Sequence, residues 1–165
     1  MRASEASRAT QPCGGGTVVG GRRSVARLAR DFAALNVEQR SACARAVGAR
    51  DYALLLGMPG TGKTSVVALL VRALLARGER VLVTSHTHAA VDNLLLKLLD
   101  AGALDDGGDD ARDDRGASAA APVRLGNARS AHARLHPLLR RGAEADDCVG
   151  ALRARAARAR LVGVT

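Results

Sequence analysis

One octapeptide restricts this chain more than any other feature: Gly57-Met58-Pro59-Gly60-Thr61-Gly62-Lys63-Thr64. Glycine accepts backbone angles that other residues resist. Gly57, Gly60 and Gly62 therefore let a loop turn its N–H groups inward as a nest for phosphate oxygens. A helix starting directly after the loop adds the positive end of its dipole. Lys63 then stands where it can reach the β- and γ-phosphates of a nucleoside triphosphate, and the Thr64 hydroxyl where it can hold Mg²⁺. Such a cradle needs a strand before it and a helix after it, and both signals are present. Tyr52-Ala53-Leu54-Leu55-Leu56 is a short apolar run, suited to a buried parallel strand. From Lys63 to about Arg77, Val66, Val67, Leu70 and Leu74 keep helical spacing, and Gly78 supplies a stop.

The pattern continues downstream. Arg80 to Ser85 reads as a second strand, and Ala89 to Ala101 as a helix whose stripe is Val91, Leu94, Leu95, Leu98 and Leu99. Val123 to Gly126 reads as a short strand, Glu144 to Arg160 as a helix, and Leu161 to Val164 as a final strand. Upstream, residues 37–48 read as a helix carrying Val37, Ala44 and Val47 on one side, with Asn36 as its N-cap. Strands alternating with helices imply an α/β fold: a parallel sheet with helices on both faces, ligand at the carboxyl ends of the strands.

Charge and composition mark the segments that do not fit this pattern. The chain of 165 residues carries a net charge of +9, with Arg-rich ends on either side of an acidic middle. A polyanionic partner fits that balance, although a general bias toward Arg and Ala would produce it too. Residues 1–34 are expected to be an unordered leader, with Gly14-Gly15-Gly16 and Gly20-Gly21 within it. Its Arg and Ser content also suits a transit peptide. Residues 102–121 hold Asp pairs separated by Gly. Their spacing does not match a Ca²⁺ loop, and a solvated, disordered insertion is expected.

Aromatic residues make up 1% of the chain, Phe32 and Tyr52, which leaves no obvious platform for stacking bases. The three cysteines, Cys13, Cys43 and Cys148, form no pair with metal-ligand spacing. A disulfide scaffold and a zinc site are thereby excluded, and a reducing compartment suits the chain. No apolar run approaches membrane-spanning length.

Two segments beside the loop resemble a known family. Leu35-Asn36-Val37-Glu38-Gln39-Arg40-Ser41-Ala42 resembles the Q motif of superfamily 1 helicases of the Upf-one-like group. There a Gln reads adenine, and an amide can both donate to and accept from that base. Val81 to Leu94, with Thr84-Ser85-His86-Thr87-His88 at its centre, resembles helicase motif Ia, most closely in the Dna-two type nuclease–helicase. Small donors at a strand end and a helix start suit anions there. Arg124-Leu125-Gly126 with His136-Pro137, and Leu161 to Thr165, resemble later segments of the same family more loosely.

The resemblance implies a partial RecA-like ATP-binding domain over residues 35–165, belonging to a 5′–3′ helicase that translocates on single-stranded DNA. It implies ATP and Mg²⁺ as cofactors. The catalytic residues would be Lys63 and Thr64. The nucleotide site would comprise Gln39, Gly57, Pro59, Gly60, Thr61, Gly62, Lys63, Thr64 and Ser65, with Thr64 on Mg²⁺. Thr84, Ser85, Thr87 and His88 would line the nucleic-acid track. It also implies the remainder of the motor as partner and the nucleus as location, with the mitochondrion as a second compartment.

The acidic insertion is not a family feature. The Asp-Glu of motif II, the arginine fingers, the second motor domain and the nuclease domain with its iron–sulfur cysteines are not in the sequence. That absence points to a fragment that hydrolyses ATP poorly or not at all. Two alternatives stay open: an RNA helicase of the same group, and a small phosphate-loop nucleotide kinase. Against the kinase, some fifty residues precede the loop and motif Ia has no place there.

Overall fold

A computed structural model describes residues 22–104, 122–140 and 149–165. Its elements in chain order are α1 (Arg22–Ala33), α2 (Val37–Gly48), α3 (Lys63–Ala76), β1 (Val81–Thr84), α4 (His88–Asp100), β2 (Val123–Leu125), α5 (His136–Arg140), α6 (Val149–Arg158) and β3 (Leu161–Val164). Two 3₁₀ turns, Ala128–Ser130 and Ala133–Leu135, lie between β2 and α5.

The three strands form one parallel sheet in the order β1-β3-β2. The last strand of the sequence thus occupies the centre. It aligns Val81 with Leu161 and Thr84 with Val164 on one side, and Leu125 with Val164 on the other. The carboxyl ends of all three strands therefore lie level, which is where ligands bind in open parallel sheets.

The main core joins α3, α4 and the sheet. Val91, Leu94, Leu95 and Leu98 of α4 pack with Ala68 and Val71 of α3, with Leu161, and with Leu135 and Leu138. Val81 and Val83 of β1 pack against the same cluster. Leu95 and Leu98 are fully buried, and each contributes about 1.5–3 kcal/mol through that burial. Gly163 sets how closely α4 approaches the sheet. A Cβ there would stand 3.1 Å from both Leu95 Cδ1 and Val91 Cγ1.

A second cluster forms on the other side of α3. Val66 and Leu69 pack with Cys43 of α2, and Leu28, Leu35, Leu55 and Leu70 close around them. Burial pushes the Cys43 thiol up from its ordinary value. That favours its neutral form and leaves it a packing residue rather than a nucleophile.

Two expectations need correction. Residues 22–33, expected within the unordered leader, form α1. Leu28 reaches the second cluster, and Asp31 pairs with Arg72 of α3 at 2.5 Å. Residues 52–56, expected as a strand, pair with no strand among the described residues. Alternation survives there without a ladder: Leu55 packs inward, while Tyr52, Leu54 and Leu56 stand outward at 80%, 80% and 91% exposure. A strand needs a neighbour to accept and donate its backbone hydrogen bonds, and among the described residues the run 52–56 has none. The expected parallel sheet with flanking helices is present, and α3 and α4 share one core with it. On the other face of β1, Leu82 is 67% exposed. Residues 1–21 and 105–121, which hold most of the leader and of the acidic insertion, fall outside the described residues.

Candidate functional site

Helix α2 prepares the phosphate loop from behind. Asn36 caps it by accepting from Gln39 N at 2.8 Å, and Gln39 Oε1 accepts from Asn36 N at 3.2 Å. This reciprocal box fixes the Gln39 side chain. The same amide then donates from Nε2 to the Thr61 carbonyl at 3.0 Å. Gln39 therefore ties the start of α2 to the backbone of the loop. It keeps one N–H and one lone pair for a further partner.

The loop takes the conformation that its glycines permit. Gly60 and Gly62 adopt φ of +82° and +83°. Gly62 serves as the N-cap of α3 and offers no side-chain cap. Its carbonyl accepts from Ser65 N at 2.9 Å and Val66 N at 3.1 Å. The N–H groups of Gly60, Gly62, Lys63 and Thr64 find no acceptor among the described residues. A cluster of unpaired donors at a helix start is the property an anion site requires.

Lys63 folds back over this nest. Its ammonium donates to the Gly57 carbonyl, and to the Met58 carbonyl at 2.6 Å. The Thr61 hydroxyl donates to the same Met58 oxygen at 2.8 Å. The loop is thus held closed on itself by its own cation. Thr64 is exposed, and its hydroxyl has no partner among the described residues. Ser65 is engaged elsewhere: its Oγ accepts from Lys97 of α4 at 2.8 Å.

Gly62 permits a sharp test. Any L-residue there would carry strain at φ +83°, and its Cβ would lie 2.7 Å from Gln39 Nε2. Replacing Gly62 with Ala should cost the competent loop about 1–2 kcal/mol. Nucleotide affinity should fall roughly five- to thirtyfold, read by calorimetric titration. Unchanged affinity would show that the loop need not hold this shape to bind.

The second group of candidates gathers at the carboxyl end of β1. Ser85 Oγ accepts from Thr87 N at 3.4 Å, and Thr87 Oγ1 caps α4 by accepting from Ala90 N at 3.3 Å. His88 Nδ1 lies 2.7 Å from Thr165 Oγ1 and 3.3 Å from an Arg124 guanidinium nitrogen. Thr84 is exposed beside them. Sequence reasoning brought these four residues together but missed what stands beneath them. Arg124 has no exposed side-chain surface, and Asp92 almost none. They pair at 3.0 Å, and Asp92 also accepts from His132 N at 2.8 Å. The one available signal was an arginine inside the apolar run Val123-Arg124-Leu125.

A cavity of about 430 Å³ lies between α1 and the end of α4, lined by Arg27, Arg30, Asp31, Asp100 and Ala101. It contains no candidate residue. Arg27 is bonded to the Ala101 carbonyl, Asp31 to Arg72 and Asp100 to Arg134, so it reads as a structural seam. Among the described residues no cluster of His, Cys, Asp and Glu could hold a metal, and no helix is long and apolar enough to cross a membrane.

Comparison with known proteins agrees with this geometry. A family model described as an AAA domain matches residues 34–145. The chain is 53% identical over 72 residues to the DNA replication ATP-dependent helicase/nuclease DNA2 of Saccharomyces cerevisiae, a stretch covering 44% of this chain and 5% of that protein. It is 58% identical over 64 residues to the helicase/nuclease JHS1 of Arabidopsis thaliana, covering 39% of this chain and 5% of that protein. To human DNA2 it is 56% identical over 64 residues, covering 39% and 6%. The matched stretches thus span only a small part of these relatives' length. The resemblance to superfamily 1 motors of the Dna-two type, first drawn from the loop, the Q motif and motif Ia, is upheld: the chain belongs to the AAA domain family and is similar to DNA2-type helicase/nucleases.

Proposed function

We propose that this chain supplies the ATP-binding part of an ATP-dependent DNA helicase motor that moves 5′–3′ along single-stranded DNA. The observation that carries this reading is the phosphate loop: a nest of unpaired N–H groups opening α3, with Lys63 poised over it. The relatives' names favour a DNA motor over an RNA helicase or a nucleotide kinase. They also favour a role in DNA replication, and with it a nuclear location.

In this reading the donors of Gly60, Gly62, Lys63 and Thr64 receive the phosphates, and Pro59, Thr61 and Ser65 complete the cradle. Lys63 leaves the carbonyls of Gly57 and Met58 for the β- and γ-phosphates. Thr64 Oγ1 would hold Mg²⁺, which would neutralise phosphate charge when bound. Gln39 spends its remaining donor and acceptor on adenine and transmits that contact to Thr61. Thr84, Ser85, Thr87 and His88 hold the backbone of the strand without reading its sequence.

The nucleic-acid half is tested by replacing Thr87 and His88 with Ala together. Each lost neutral hydrogen bond is worth about 0.5–1.5 kcal/mol, so affinity for a single-stranded oligonucleotide should fall on the order of tenfold. With His counted neutral, the double variant leaves the formal charge unchanged, so the dependence of log K on log salt should keep its slope, about −0.7 per neutralised phosphate. Deleting residues 1–21, which leaves α1 intact, removes Arg2, Arg8 and Glu5, a net loss of one positive side-chain charge, and should change the slope instead. If the double variant binds like wild type and the deletion abolishes binding, these residues are not the track.

A further inference from the structure

His88 sits at a junction that determines where its proton is. Arg124 can only donate, because a guanidinium has no acceptor. One of its terminal nitrogens lies 3.3 Å from His88 Nδ1. An unprotonated Nδ1 can accept from it, whereas a protonated one would set two donors against each other. The Thr165 oxygen accepts from the other terminal nitrogen of Arg124 at 3.3 Å, which leaves its hydroxyl hydrogen for Nδ1, 2.7 Å away. With the one lone pair of Nδ1 shared between these two donors, a neutral ring carries its proton on Nε2. Among the described residues nothing bonds to Nε2.

Arg124 is itself fixed from several sides. Its Nε donates to Asp92 Oδ1 at 3.0 Å, and a terminal nitrogen donates to the Leu125 carbonyl. Asp92 is one turn from His88 on α4 and shares its face. Gly126 has φ of +132°, and a Cβ there would collide with the guanidinium. No buried polar side-chain atom among the described residues lacks a partner. The assembly joins the ends of β2 and β3 to the start of α4.

The geometry points to Arg124 and Thr165 as positioning residues of the nucleic-acid site: they lock His88 in its Nε2–H tautomer, so that a neutral N–H at the strand ends donates to a phosphodiester oxygen of the bound strand. This rests on the reading of the strand ends as the nucleic-acid track.

The test uses the full chain and a single-stranded oligothymidylate. Long-range ¹H–¹⁵N spectra of the imidazoles, with His88 assigned by its loss in His88→Gln, should show the Nε2–H tautomer in wild type and a mixture in Thr165→Val. Adding the oligonucleotide should move the His88 Nε2 resonance. Thr165→Val, on an exposed residue that leaves the Arg124–Asp92 pair in place, should weaken binding about three- to tenfold. His88→Gln, whose amide reaches as far as Nε2, should bind more tightly than His88→Asn, whose shorter amide reaches only to the level of Nδ1. A proton on Nδ1 in wild type overturns the proposal. So does oligonucleotide binding that leaves the His88 resonance unmoved and is unaffected by Thr165→Val, and in that case the helicase reading survives. Failure of wild type to bind the oligonucleotide at all overturns both.

Discussion

Replacing Arg124 with Met will lower the stability of the fold by about 3–5 kcal/mol, because it leaves the Asp92 carboxylate buried without its cation. Asp92 is 4% exposed and holds the backbone of His132 as well as the guanidinium. Its desolvation is compensated by two hydrogen bonds, and the variant removes one of them together with the only charge opposing it in the described network. Urea unfolding should show a lower midpoint at an unchanged slope. Replacing Asp92 with Leu in the same chain should restore much of the loss, since a buried pair exchanged for apolar residues is often neutral in cost. A single variant that unfolds within 0.5 kcal/mol of wild type would show that the pair is more hydrated than its burial implies.

Lys63→Ala will weaken ATP binding about ten- to a hundredfold, the equivalent of one charge-assisted hydrogen bond of roughly 1.5–3 kcal/mol. The closed loop sharpens this expectation. In the free chain the ammonium already donates to the carbonyls of Gly57 and Met58. Binding exchanges these contacts for phosphate, so only the difference appears as affinity. The variant should leave unfolding nearly unchanged, because the lost bonds lie in an exposed loop. Calorimetric titration with Mg²⁺ and ATP measures the affinity. Equal dissociation constants for the two chains would remove Lys63 from the site.

Much of this architecture was legible in the sequence. The loop, the Asn36 cap, α3, α4 and the strands at Val81 and Leu161 all carry local signals: glycines at fixed spacing, a capping side chain, apolar periods of helix or strand. The start of α1 was hidden by an Arg-rich background, although Val25, Leu28 and Phe32 keep helical spacing and Leu28 does pack inward. The run at 52–56 misled for the opposite reason. Its apolar residues are right for a strand, but pairing depends on a neighbour that local sequence does not supply. The 3₁₀ turns and α5 between residues 128 and 140 carry no periodic signal long enough to read.

The network beneath His88 was beyond sequence reading. It joins His88 and Asp92 on α4 to Arg124 on β2 and to Thr165 after β3, contacts 32 to 77 residues apart. Only the strand order, with the last strand in the centre, brings them together. Gln39 is intermediate between these cases. Its bond to the Asn36 backbone is local to the start of α2, whereas its bond to Thr61 across 22 residues is a product of the fold.

The most direct test of the central claim is an amide-resolved map of Mg²⁺–ATP binding to the full chain. The account predicts that the amides of Gly60 to Ser65 and the side-chain amide of Gln39 shift together, saturating at one nucleotide per chain, while Arg27, Arg30 and Asp100 around the α1–α4 seam stay where they are. Shifts confined to that seam, with the loop amides and Gln39 unmoved at saturation, would contradict it.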